Sequence, residues 1–158
     1  MSADIRKIVL CYALSERLMA DIYDLAANKA NDPALKALLR FMAIDSRKHE
    51  YIFRMIAEQY GMWRINESEC SRVSGLLYGL IGSLKEAREA VKKATDDKKI
   101  KKAIIGLEEM QRILGESEID RIVQGLTGEE KEVFTKLLIL IKSDQEKHEK
   151  LIGEFLSA

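Results

Sequence analysis

The chain holds two histidines, and both stand in copies of one motif. Asp45-Ser46-Arg47-Lys48-His49-Glu50 and Asp144-Gln145-Glu146-Lys147-His148-Glu149 both read D-x-x-K-H-E. Asp and His at i and i+4 share one face of a helix, the spacing at which helical side chains act on a common partner. Met42, His49 and Ile56 are seven apart, as are Ile141, His148 and Phe155, so each histidine falls on an apolar face. Asp45 lies between Leu38 and Ile52, and Asp144 between Leu137 and Leu151. Glu16 lies between Val9 and Tyr23, and Glu116 falls among Ile113, Ile119 and Val123. The pattern directs four carboxylates and two imidazoles to one level of an interior. Unpaired buried carboxylates cost several kcal/mol each or take up protons. Four acids and two neutral imidazoles leave about four negative charges, which two divalent cations would neutralise. Glu16, Asp45, His49, Glu116, Asp144 and His148 are therefore the candidate metal ligands.

Four long helical patterns must position them. The first runs over about 3–29, with Ile5, Val9, Tyr12, Met19, Tyr23 and Ala26 as its stripe. Asn31-Asp32-Pro33 ends it and opens the second, with Asp32 as N-cap and Pro33 at the first helical position. The second ends near Tyr60-Gly61. After a crossover, the third runs over about 98–124 and the fourth to about 156. Thr127-x-x-Glu130 reads as a capping box at the start of the fourth. Short connections make each pair an antiparallel hairpin, at about 3–60 and 98–156. Residues 72–94 read as an extra helix in the long crossover, about 61–97. Its Gly75, Gly79 and Gly82 predict close packing against a neighbour.

The hairpins repeat each other. A shift of 99 places Leu35, Leu39, Met42, Asp45, His49 and Ile52 on Phe134, Leu138, Ile141, Asp144, His148 and Leu151. A shift of 100 places Glu16 on Glu116. Two such hairpins fold most simply as a four-helix bundle with a pseudo-two-fold axis, a single domain over 1–158.

Composition agrees with a globular domain large enough for a continuous core: 47% hydrophobic and 33% charged residues. Lys plus Arg and Asp plus Glu are equal at 26 each, so no global field favours nucleic acid or an anionic membrane as partner. Cys11 and Cys70 are too few and too far apart for a thiolate metal motif or a disulfide framework, and reduced thiols in a cytoplasmic protein are the expectation. The apolar run Ile8–Leu14 is too short to span a bilayer, and its acidic flanks argue against a signal peptide. The single Pro and the abundance of Lys, Glu and Arg point to a thermophile. Lys98-Lys99-Ile100-Lys101-Lys102 reads as a solvated helix end, and Met62-Trp63 as an anchor for the crossover or a dimer contact.

Glu16, a Tyr seven residues later, Asp-Pro at the next helix start and then a carboxylate–His pair resemble the ferritin-like superfamily, and within it the rubrerythrin-type proteins. The resemblance covers both hairpins. It implies a ferritin-like antiparallel four-helix bundle, an all-α fold, with a di-iron or di-manganese centre held by one Glu from the first helix of each half and a Glu-x-x-His from the second. It also implies an oxidoreductase of peroxidase or ferroxidase type, a homodimer or higher homo-oligomer, and a separate electron donor, because no Cys-x-x-Cys pairs are present. Glu16, Glu116, His49 and His148 match the family pattern. The Glu of each Glu-x-x-His does not, since Ser46 and Gln145 stand there. Asp45 and Asp144, one residue earlier, are the nearby inner carboxylates. The expected cofactor is iron or manganese, with zinc also compatible, at one or two ions per chain. The alternative is a metal-free ferritin-like bundle acting as a binding or scaffold protein, its histidines bonded to the aspartates of their own helices.

Overall fold

In a computed structural model, residues 3–73 and 75–156 are described, with the side chains of 3–4 and 112–117 left out. The helical elements of the described residues are, in order, α1 (Ala3–Lys29), α2 (Pro33–Gln59), α3 (Glu67–Val73), α4 (Gly75–Lys93), α5 (Asp97–Gly125) and α6 (Lys131–Phe155). Among the described residues there is no strand, and no helix is long and apolar enough to cross a membrane.

The ends of these helices follow from local chemistry. Asp32 caps α2, its carboxylate accepting from the Ala34 N–H at 2.9 Å, and Pro33 supplies the fixed φ of the first turn. Asp96 caps α5 by accepting from the Lys99 N–H at 2.8 Å. The expected capping box at Thr127 and Glu130 does not form. Glu130 itself occupies the cap position of α6 with helical backbone and no side-chain cap bond. Thr127 is instead engaged by Tyr60, whose hydroxyl donates to the Thr127 carbonyl at 2.6 Å and accepts from its N–H at 3.1 Å.

That pair locks the end of α2 to the α5–α6 turn. The opposite lock is Asp97, whose two carboxylate oxygens accept the N–H groups of Asn31 (2.9 Å) and Asp32 (2.8 Å) in the α1–α2 turn. Each hairpin's turn is thus held by a residue of the other unit. In between, α1 touches α2, α2 touches α6, α6 touches α5 and α5 touches α1, so four long helices contact one another in a closed ring. Tyr23, Phe53, Met19, Leu39, Met42 and Ile56 are among the fully buried side chains of this core. Phe155, expected inside, is about half exposed.

The crossover departs from expectation in two ways. Among the described residues it is helical from Glu67, in α3, rather than from about 72. α4 lies on α1 and α5 through Leu77, Leu80, Ile81 and Leu84, and its C-terminal end is capped by the Lys29 ammonium on the Val91 carbonyl at 2.8 Å. Gly75, Gly79 and Gly82 do not mark close packing. A Cβ at any of them would meet nothing within 4 Å, because they face away from the buried leucines. Met62 packs against the core, whereas Trp63 is exposed.

The cysteines are a further correction. Cys11 in α1 and Cys70 in α3 form a disulfide with a Cα–Cα distance of 5.5 Å. Their separation of 59 residues hid this in the sequence. It is the return of the crossover along α1, through α3, that brings them together.

Candidate functional site

The motif aspartates and histidines meet at one level, between α2 and α6. His49 Nε2 lies 2.9 Å from Asp144 Oδ2, and His148 Nε2 lies 2.8 Å from Asp45 Oδ2. Both histidines are buried, and so are both aspartates. The bonds run between helices, not within each helix as the metal-free alternative supposed. An i,i+4 side chain can reach its neighbour, but here each imidazole is aimed across the α2–α6 contact, where the other motif stands. The two rings lie 6.3 Å apart between centroids, and Phe41 meets the His148 ring edge-on at 6.0 Å.

Lys48 completes this side of the layer. Its ammonium lies 2.7 Å from Asp144 Oδ2 and 3.2 Å from Asp45 Oδ1, so one cation spans both carboxylates. The repeat equivalent, Lys147, reaches only Asp144, at 3.8 Å. Burial works against the charge on Lys48, yet Asp144 and Asp45 outweigh it and raise its pKa above the ordinary lysine value. Burial also works against the Asp144 carboxylate, and the Lys48 and His49 bonds override it, lowering its pKa.

The other side of His49 faces α1 and α5. Glu16 is buried, with Oε1 at 3.4 Å from His49 Nδ1 and 3.4 Å from Gln111 Nε2, which donates to it. Among the described residues, Glu16 Oε2, His49 Nδ1 and Gln111 Oε1 are buried without a hydrogen-bond partner. Burial disfavours charge on His49, but Glu16 and then Asp144 outweigh it, so the imidazole pKa is raised. Glu108 lies on the same face of α5 as Gln111 and accepts a hydrogen bond from the buried Tyr23 hydroxyl. Burial pushes the Glu108 pKa up to about 7; the Tyr23 bond opposes this and the Glu16 charge adds to it. Burial likewise raises Tyr23 well above the usual phenol range, with Glu108 reinforcing the shift.

Of the six predicted ligands, the structure gathers Glu16, Asp45, His49, Asp144 and His148. The Glu116 side chain lies outside the described residues, as does that of Arg112 one helical turn before it. Sequence reasoning missed Glu108, Gln111 and Lys48 as members of the layer. Glu108 and Gln111 stand among the buried Ile104 and Leu107 at helical spacing, a signal of the kind that identified Glu16. Lys48 was visible in the motif, but its reach across to Asp144 depends on the tertiary fold.

A dinuclear centre of the ferritin type does not fit this set. Its bridging positions hold Ser46, which is buried, and Gln145, which is partly buried. Asp45 and Asp144 are already engaged by two imidazoles and an ammonium. Among the described residues, no three His, Cys, Asp or Glu side chains are gathered as they stand to hold a metal ion. A single cation beside Glu16 is a different matter. If His49 donates from Nε2 to Asp144, its Nδ1 lone pair faces a Glu16 oxygen at 3.4 Å. Two facing acceptors in a dry interior call for a positive charge between them, either a proton or a metal.

No protein-family description, no curated protein and no solved structure matches this chain.

Proposed function

We propose that this chain is a ferritin-type helical bundle that binds one divalent metal on the Glu16 side of His49. The observation that carries the reading is the facing pair of Glu16 Oε1 and His49 Nδ1, with Glu16 Oε2 and Gln111 Oε1 buried and unpartnered among the described residues. Glu16 and His49 Nδ1 would hold the metal, with Glu108 the next carboxylate on that side. Carboxylate oxygen and imidazole nitrogen suit iron, manganese or zinc. Asp144 fixes the His49 tautomer from behind, the partner that metal-bound imidazoles ordinarily have. The closed ring of four long helices and the paired motifs support the ferritin-type assignment. A bound iron or manganese would supply one-electron chemistry toward peroxide or dioxygen. The chain's own part would be to hold the ion away from water and to keep the Tyr23 hydroxyl on Glu108. Electrons would come from a separate donor, and the assembly would be a homo-oligomer.

A second reading has an observation of its own. The Asp–His pairs and Lys48 form a closed hydrogen-bonded network, and a proton on His49 would satisfy Glu16 without any metal. The protein would then be a metal-free binding or scaffold bundle. Cobalt(II) separates the two. On the first reading, metal-free protein titrated with cobalt develops ligand-field absorption that saturates at one equivalent and is absent in Glu16→Gln. On the second, the titration stays flat.

A further inference from the structure

Between α4 and α5, away from the polar layer, lies an open groove of about 580 Å³. That is within the size range of small-molecule sites, about 300–1,000 Å³. Its walls are Ala87, Ala90, Ala103 and Gly106, with Leu107 beneath, so the floor is apolar. Ser83 and Met110 meet across it at 3.6 Å at one end. From Ser83 to Ala94 the groove follows eleven residues of helix, roughly 16 Å at about 1.5 Å per residue.

The other end is different in character. Lys93, Lys99 and Lys102 line it, and Glu86 is the one carboxylate among the lining residues. Lys99 donates to the Thr95 hydroxyl at 3.1 Å. The nearby aspartates are engaged by backbone: Asp96 by the Lys99 N–H, and Asp97 by Asn31 and Asp32. A second hollow adjoins this rim and shares Lys99 and Lys102, with Lys98 and Lys101 on its border.

We infer that the α4–α5 groove binds a single-chain amphiphile with an anionic head, of the fatty-acid class, its alkyl chain along Ala90 and Gly106 and its carboxylate among Lys93, Lys99 and Lys102. The apolar floor favours a hydrocarbon chain. The lysine rim favours a negative head at one end only, which sets the direction of the chain. The site is independent of the polar layer and of any metal there.

The test uses cis-parinaric acid, a fluorescent fatty acid, below its micellar concentration, with the full-length protein. Saturable one-to-one binding in the micromolar range is expected. Ala90→Leu with Gly106→Leu should fill the groove and weaken binding at least tenfold. Ala90 is exposed and a Cβ at Gly106 meets nothing within 4 Å, so the helices should be unaffected, which circular dichroism checks. Lys99→Gln with Lys102→Gln should weaken binding at least fivefold. No saturable binding would overturn the assignment. So would equal binding by the filled variant, equal binding of the matching fatty alcohol, or displacement of the probe by millimolar inorganic phosphate alone.

Discussion

His49 Nε2 lies 2.9 Å from Asp144 Oδ2, and the bond joins the motif of one hairpin to the motif of the other. The reciprocal bond, His148 to Asp45, is 2.8 Å long. Each histidine therefore bonds the aspartate of the repeat rather than that of its own motif. A double-mutant cycle on Asp45→Asn and His148→Gln should give a coupling energy of about 1–3 kcal/mol, as contacting buried polar groups do. Urea unfolding measures it. A coupling near zero would mean that the pair is not formed in solution.

Lys48 should matter more than its repeat Lys147. Lys48 spans two carboxylates, whereas Lys147 approaches one at 3.8 Å from an exposed position. Lys48→Met leaves Asp45 and Asp144 facing each other without their cation. The Lys48 side chain is 42% exposed, so water softens the loss, and about 1–2 kcal/mol is expected. Lys147→Met should change stability by less than about 0.5 kcal/mol. Equal effects from the two in thermal or urea unfolding would contradict the asymmetry.

Glu108 gives the metal-free protein a pH signature. Its folded pKa, about 7 against an ordinary 4.5, is raised, so its contribution is fully favourable below 4.5 and is lost as pH rises through about 7. His49 has the same sign, because its folded pKa is raised above 6.5. Asp144 has the opposite one. Its folded pKa is lowered, so its contribution is present above 3.8 and is lost as pH falls through the lowered value. Stability of the metal-free chain should therefore decline from mildly acidic toward alkaline pH. Glu108→Gln keeps an acceptor for Tyr23 and removes the charge. It should match the parent near pH 4.5 and exceed it at pH 8.5, by on the order of 3 kcal/mol at most. A Glu108→Gln variant that is less stable at pH 8.5 would contradict this.

The Cys11–Cys70 bond closes a loop of 59 residues. Loop-closure entropy assigns such a crosslink about 4 kcal/mol of stabilisation, less any offset from the native state. Dithiothreitol, or Cys11→Ser with Cys70→Ser, should lower the melting temperature clearly. Full alkylation of both thiols in protein unfolded without reductant would show that the bond is absent.

Much of this architecture is legible in the amino-acid sequence. Period-3.6 stripes, Asp32-Pro33 and the 99-residue shift locate the four long helices to within a few residues, because helix faces and caps are written locally. The burial of Glu16, Asp45, His49, Asp144 and His148 is legible for the same reason. Their partners are not. Whether His49 bonds Asp45 or Asp144 depends on how α2 lies against α6, and periodicity carries no information about that. The reach of Lys48 and the meeting of Cys11 with Cys70 are tertiary in the same sense. Glu108 and Gln111 are a different kind of miss. They stand at helical spacing with the buried Ile104 and Leu107, whereas Ile113, Ile119 and Val123 mark Glu116 in the sequence.

On the proposed reading Glu16 and His49 hold one metal ion while the Asp–His–Lys48 side holds none. Elemental analysis tests it after anaerobic loading with ferrous iron, manganese or zinc and removal of excess. The expected result is about one ion per chain in the parent and in His148→Gln, and none in Glu16→Gln or His49→Ala with helical content intact. No ion in the parent would contradict the claim and leave the metal-free network as the reading. Two ions, both lost in His148→Gln, would contradict it in the other direction by restoring the two-metal centre.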